Sequence, residues 1–242
     1  MRRGYGCHIR KFASVIVFFL ICSIISADKL DSVFNQTIIP LKYTPRRQVF
    51  DEQTKNFIII EADNNTFSPK ERQKRIISDD SNAELAVEQF GQPVAGLGNW
   101  ASCLRVINPL SGETIEFMDL EDNEAAFRYF VFLKVSIALC EFKNYPGERF
   151  LILGTAKGLQ VSPRKCIGGY MHVYRFGADC KLSLMHSTEV EDSPLAMMGF
   201  HGRLLVGIGK YVRIYELGMK KLLRKCESLV YFFIAHVRNS LI

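Results

Sequence analysis

The stretch that decides the fold is Phe200 to Glu227, FHGRLLVGIGKYVRIYELGMKKLLRKCE. Arg203 to Ile208 reads as a strand, Gly209-Lys210 as a two-residue turn of the Gly-X kind, and Tyr211 to Leu217 as the returning strand. In the returning strand Val212 and Ile214 share one face while Tyr211, Arg213 and Tyr215 share the other, the period of a half-buried strand. Gly218-Met219 offers a second Gly-X turn, and Lys220 to Cys226 is short enough to be a third strand of the same meander.

Working outward, the same grammar recurs. Strands are expected at Ser102 to Asn108, Thr114 to Leu120, Ser136 to Phe142, Arg149 to Gly154, Gly169 to Phe176 and Lys181 to Thr188, with Gly, Pro, Asn and Asp at the joints. Nearer the start, Val33 to Leu41, Arg47 to Phe50 and Phe57 to Ile60 are also strand-like. An apolar run, a glycine, a polar turn and an alternating strand appear around Arg149 to Phe176 and again around Arg203 to Leu217. That spacing of roughly fifty residues is close to a propeller blade. The fold class expected is all-β, a partial β-propeller of two to three WD40-like blades. Ser68 to Phe90, charged and opened by Ser68-Pro69, reads as a short charged helical or disordered insert, ended by the glycines of Gly91 to Gly98.

Charge and cysteines point in different directions from the first residues. The formal charge is +6, but Arg2, Arg3, Arg10 and Lys11 carry four of those charges with no acid nearby, leaving a body close to neutral. Seven scattered cysteines, never spaced C-x-x-C, favour reduced thiols and an intracellular compartment. Residues 1–27 instead match a secretory signal peptide, with the basic start, the apolar run Phe12 to Ile25 and the small pair Ser26-Ala27. Asn35-Gln36-Thr37 and Asn64-Asn65-Thr66 would then be glycosylation acceptors.

No catalytic constellation is evident. Gly207-Ile208-Gly209-Lys210 lacks the earlier glycine of a phosphate loop and has Tyr211 where Ser or Thr should hold magnesium, so it reads as a hairpin turn; Gly168-Gly169 reads as another. His172, His186 and His201 stand apart from metal-ligand spacings and read as surface or satisfied core histidines. The acidic group Glu113, Glu116, Asp119, Glu121, Asp122 and Glu124 lacks a calcium-loop pattern and reads as a solvated or partner-facing edge. Ser162-Pro163-Arg164-Lys165 has the form of a proline-directed phosphorylation site. Lys220, Lys221, Arg224 and Lys225 are the candidate contacts to nucleic acid or to a protein partner. Without interleaved aromatics, they also suit a charged edge strand that resists further pairing.

Val206 to Glu227 resembles a segment of the large multi-propeller subunits shared by splicing factor 3b, the damage-specific DNA-binding protein and the cleavage and polyadenylation factor. Phe34-Asn35-Gln36, Pro40 to Arg46, Ile58-Ile59-Ile60-Glu61, Trp100-Ala101-Ser102 and Asn123 to Phe127 agree in order. Leu217-Gly218-Met219 followed by Lys220 to Glu227 favours the splicing branch. The resemblance implies a non-enzymatic scaffold without cofactor, built on three seven-bladed propellers, of which this chain covers early blades of the last. It implies a nuclear role in pre-mRNA splicing within the U2 particle, with other splicing factor 3b subunits as partners, the helical-repeat subunit among them, and RNA nearby. Residues 28–67 are expected as strands leading into the propeller, 68–98 as the charged linker and 99–227 as propeller blades. Residues 1–27, 128–135 and 228–242, all apolar, have no counterpart and read as translated non-coding sequence in a truncated gene product or splice variant. The rival reading is a secreted β-rich binding protein with a cleaved signal peptide.

Overall fold

A computed structural model describes residues 12–14, 23–26, 35–78, 95–120, 123–126, 137–177 and 179–229. β1 (Phe12–Ser14), β2 (Ser23–Ser26) and β3 (Asn35–Thr37) form a small antiparallel ladder. The body is three antiparallel sheets, each a run of strands in chain order. The first holds β4 (Pro45–Asp51), β5 (Asn56–Asn64), β6 (Trp100–Ile107) and β7 (Thr114–Asp119). The second holds β8 (Glu124–Ala125), β9 (Ile137–Glu141), β10 (Arg149–Lys157), β11 (Gly168–Phe176) and β12 (Leu182–Val190), with β8 and β9 both pairing β10. The third holds β13 (Pro194–Phe200), β14 (Arg203–Ile208), β15 (Tyr211–Leu217) and β16 (Leu222–Leu229). This succession of meanders is the partial propeller-like all-β fold expected. α1 (Pro69–Ser78) starts at the proline after Ser68 and interrupts the first sheet between its two central strands. The rest of the expected insert up to Phe90, the stretch 128–135 and residues 230–242 lie outside the described residues.

The sheets stack face to face, and the central strands show why. β10, Arg-Phe-Leu-Ile-Leu-Gly-Thr-Ala-Lys, is apolar on both sides. Leu151 and Leu153 pack with Ile58, Ile60, Leu104 and Val106 of the first sheet. Phe150 and Ile152, one residue out of phase, pack with Leu204, Val206 and Ile208 of the third. Alternation sends successive side chains to opposite faces, so a continuous apolar run fits a strand buried from two sides.

Polar ties reinforce both seams. Asp51, fully buried, accepts from Arg149 across the first seam. Burial would raise its carboxyl pKa, but hydrogen bonds from Arg149 and Thr54 outweigh that and hold it below the ordinary value. Trp100 Nε1 donates to the Leu159 carbonyl at 2.8 Å, and the Leu182 N–H to Glu116 Oε2 at 2.6 Å. At the second seam the Leu222 N–H donates to Thr188 Oγ1 at 2.8 Å, and His186 Nε2 lies 3.2 Å from the Gly218 carbonyl.

Several elements depart from expectation. Among the described residues of the strand expected from Val33 to Leu41, Asn35 to Thr37 are a strand and Ile38 to Leu41 are not, while Val33 and Phe34 lie outside the described residues. Pro40 has no N–H to give a ladder, and the N–H groups of Lys42 and Tyr43 are taken by Glu61 Oε2 at 2.8 and 3.0 Å. Residues 38–44 therefore cross the outer face of the first sheet as a strap, where Ile39 and Leu41 cover Phe57, Ile59 and Ile107, and Tyr43 covers Ala101 and Cys103. Gly168-Gly169 is not a turn but the start of β11, paired to Ala156 and Lys157 of β10. A Cβ on Gly169 would meet the Asp192 carbonyl at 2.7 Å and the Thr155 carbonyl at 2.9 Å, so glycine allows this close approach. Gly218 to Lys221 forms a four-residue loop closed by the Gly218 N–H donating to the Lys221 carbonyl, and β16 starts only at Leu222. Strand β13 has no local signature in the sequence: Pro-Leu-Ala-Met-Met-Gly-Phe has neither β-branched residues nor alternation.

Candidate functional site

The basic run Lys220 to Lys225 occupies the last loop and the edge strand of the third sheet. All four candidate cations are exposed, but the structure separates them. Lys225 Nζ lies 2.8 Å from Glu216 Oε2, and Arg203 Nε binds the other oxygen of the same carboxylate at 2.7 Å. The hydrogen bond from Lys225, then that from Arg203, lowers the Glu216 carboxyl pKa. Arg224 turns to the opposite face, opposite Tyr215, and meets Glu227 Oε2 at 3.0 Å. The cause is an irregularity between Ile214 and Tyr215 that leaves Lys225 as an extra residue in the ladder. Lys220 and Lys221 have no ion pair among the described residues.

Lys221 and Arg224 line a cleft of about 570 Å³ at the seam between the second and third sheets. Ser187, Thr188, Glu189 and Glu191 form its other wall, and Arg213 and Tyr215 close its base. Arg213, not among the candidate contacts expected from the sequence, is part of this site. Its side chain is 5% exposed and binds both Glu191, at the end of the second sheet, and Glu227 on β16. The hydrogen bond to Glu191 is the main cause of its raised pKa, against the opposing effect of burial, and the same bond lowers the pKa of Glu191. The sequence signal was its place between Tyr211 and Tyr215 on one strand face; its partners lie 22 and 14 residues away. The cleft sets a cationic rim of Lys221 and Arg224 against a wall of hydroxyls and the carboxylates of Glu189 and Glu191, so it offers ion pairs of both signs and hydrogen bonds, and its edge strand β12 offers main-chain groups.

Two other groups singled out in the sequence are resolved differently. His172 is not isolated: its Nε2 lies 2.6 Å from Glu124 Oε2 and its Nδ1 2.7 Å from Ser187 Oγ, with Thr155 Oγ1 donating to the same Glu124 oxygen at 2.8 Å. Serine faces Nδ1 and the acid faces Nε2, the reverse of the order in which a Ser-His-Asp hydrolase uses the ring. This run of hydrogen bonds crosses the second sheet from β8 to β12 and makes His172 a satisfied core histidine. His186, held to the Gly218 carbonyl, is also buried. The acidic group is dispersed: Asp119 meets Lys42, Glu116 caps an N–H of β12, and Glu124 belongs to the histidine tie. Glu121 and Asp122 lie outside the described residues. Among the described residues no three His, Cys, Asp or Glu side chains are placed to hold a metal ion. Of Gly207 to Lys210, expected as a hairpin turn, Gly207 and Ile208 are the paired end of β14 and Gly209-Lys210 make the turn, with Gly209 at φ 55°. Its Cβ would come 3.1 Å from the Asp192 carboxylate, so glycine suits the position twice over.

Comparison with known proteins covers most of the chain. Residues 101–242 match the family model described as the CPSF A subunit region. Splicing factor 3B subunit 3 of Danio rerio is 42% identical over 228 residues, covering 85% of this chain and 18% of the relative. The pre-mRNA-splicing factor rse1 of Emericella nidulans is 46% identical over 215 residues, covering 86% and 17%. Spliceosome-associated protein 130 A of Arabidopsis thaliana is 38% identical over 230 residues, covering 84% and 18%. The chain thus spans less than a fifth of the length of these curated relatives.

Proposed function

Because this chain belongs to the CPSF A subunit region family, we propose that it is a non-enzymatic scaffold segment acting in nuclear pre-mRNA splicing, through protein contacts within splicing factor 3b and the U2 particle. The observation that carries this reading is identity of 38–46% to relatives named as splicing proteins, sustained over about 85% of the chain. Stacked meanders support a binding role, since such sheets present edges and seams to partners. In this reading residues 68–98 are a linker carrying α1, residues 99–227 hold propeller blades, and the helical-repeat subunit is among the partners.

The cleft and the basic loop are the proposed contact surface. Lys221 and Arg224 meet acidic groups of a protein partner, and Lys220 with Lys221 supplies any contact to RNA phosphates. Arg224 and Lys225, already matched by Glu227 and Glu216, contribute less to RNA binding. Co-purification of the tagged full chain from nuclear extract tests the reading: recovery of splicing factor 3b subunits is expected, and glycosylated protein in the culture medium would overturn it. For RNA, Lys220→Ala with Lys221→Ala should weaken binding to single-stranded RNA and reduce the salt slope by about 1–2. An unchanged slope removes RNA from the proposal.

A further inference from the structure

The last strand of each sheet is an edge, and the three edges differ. β7 carries Glu116 and Asp119, and β16 carries Arg224, Lys225 and Glu227, charges of the kind that keep an edge from pairing further. β12, Leu-Ser-Leu-Met-His-Ser-Thr-Glu-Val, has no proline, no lysine or arginine, and one carboxylate, Glu189. Among the described residues β12 pairs with β11 alone, and no main-chain group of residues 183–190 finds a backbone partner elsewhere. Its sheet is the middle one, packed on both faces, so this edge is bounded on one side by Glu116 of β7 and on the other by Leu222 of β16. The register with β11 shifts between Val173 and Tyr174 and leaves Met185 as an extra residue of β12. The regular part of the edge therefore runs from His186 to Val190, about 17 Å. That part lies along the cleft.

We propose, resting on the scaffold reading above, that this edge takes an extended segment of a protein partner as an added antiparallel strand, with an acidic residue opposite Thr188 and a basic one opposite Glu189. Main-chain pairing supplies the attachment, and the side chains on its two faces supply the choice of segment. Thr188 Oγ1 accepts the Leu222 N–H, so the Thr188 side of the strand looks to the third sheet. There Lys221, on the cleft rim, has no ion pair among the described residues. Ser187 bonds His172 on the other side, and alternation turns Glu189 the same way. Directly opposite residues share a face, so the added strand meets Lys221 with one side chain and Glu189 with the next. A neighbouring acid and base, flanked by residues that suit a pleated sheet, is the pattern recognised. The rim charge excludes other occupants. A second β12 paired antiparallel would bring His186, Thr188 and Val190 to the cleft, none of them acidic. Residues 127–136 and 230–242 of this chain hold no Asp or Glu to meet Lys221.

Fluorescence anisotropy of the labelled peptide Thr-Val-Lys-Asp-Thr-Val-Thr with the full chain tests the inference, beside a second peptide in which Lys and Asp are exchanged. The first should bind with Kd below about 1 mM and the second more weakly. Lys221→Glu should weaken the first by about three- to tenfold, and Lys221→Glu with Glu189→Lys should reverse the preference between the two. Both positions are exposed, so the fold is kept. N-methylation of one alternate set of peptide amides should abolish binding while the other set tolerates it, the mark of an antiparallel ladder. No binding of either peptide up to about 1 mM, a preference that the double variant leaves unchanged, or indifference to N-methylation would each overturn the proposal. So would a photo-reactive benzoylphenylalanine at position 189 that cross-links to residues 79–94 or 230–242 of the same chain, since the edge would already be filled. Recovery of splicing factor 3b subunits from nuclear extract together with a failed peptide assay strikes the added strand and leaves the scaffold reading standing.

Discussion

Glu61→Ala tests how the strap is held. Glu61 is completely buried and its oxygens receive the N–H groups of Lys42 and Tyr43, Arg105 Nε at 2.5 Å and Arg105 Nη2 at 3.4 Å. Breaking a buried ion pair from one side costs about 3–5 kcal/mol, because the remaining charge is stranded. Arg105 is 12% exposed, retains Thr114 Oγ1 at 3.3 Å and lies over the Phe117 ring, which places the loss at the lower end, ~3 kcal/mol. The two strap amides face a choice. Staying in place unpaired costs about 1–3 kcal/mol each. Lifting off hydrates them but exposes Ile39, whose burial is worth about 1.5–3 kcal/mol. These costs are comparable, so the strap should open in a sizeable fraction of molecules. The Lys42–Asp119 pair, about one-third exposed on both sides, is worth at most ~1 kcal/mol and does not hold it. Glu61→Gln, which keeps an acceptor oxygen but not the charge, should lose about half as much. Urea unfolding gives the stability, and amide exchange at Lys42 and Tyr43 reports the strap. Unchanged protection of both amides in Glu61→Ala, with a stability loss under about 1 kcal/mol, would refute the reasoning.

Other consequences concern the seams and a close approach. Ile152→Ala and Leu153→Ala, on opposite faces of β10 and fully buried, should each cost roughly 2–5 kcal/mol in urea unfolding. Gly169→Ala pushes a methyl against two carbonyl oxygens and Pro194 Cδ, and should lower stability by at least ~1–3 kcal/mol, read as a reduced thermal midpoint. Burial lowers the His186 pKa, partly offset by its bond to the Gly218 carbonyl. The folded state therefore favours neutral imidazole while the unfolded state takes up a proton below the ordinary histidine value. The His186 contribution is complete above pH ~6.5 and declines as pH falls through the lowered folded value. A stability profile from pH 7.5 to 5 should flatten over its lower half in His186→Gln.

The strands were legible where local chemistry and tertiary use agree. Arg203 to Ile208, Gly209-Lys210 and Tyr211 to Leu217 stand where glycine and alternation place them. The repeat was visible only for the central strands of the second and third sheets, because α1 and the residues after it separate the equivalent pair of the first. Pro194 to Phe200 was illegible because it forms a strand by pairing with β14, not by its own preference. The cleft was half legible. Lys221 and Arg224 declared themselves as charge, whereas Arg213 became part of it through Glu191 and Glu227, whose proximity no local pattern encodes.

The returning strand of the opening hairpin marks the boundary between the two kinds of information. By itself the sequence determined that Tyr211, Arg213 and Tyr215 share one face and Val212 and Ile214 the other, because the side-chain period of a strand is two. Only the tertiary structure decided which face goes in. Hydrophobicity alone would turn Val212 and Ile214 to the core, yet Arg213 and Tyr215 are 4% and 3% exposed and the two aliphatic residues are half open. The second sheet supplies Glu191 to neutralise Arg213 and an apolar wall for Tyr215, and a buried charge is tolerated only where such a partner is already in place. That partner comes from a different sheet, so the choice is made by packing and not by the strand.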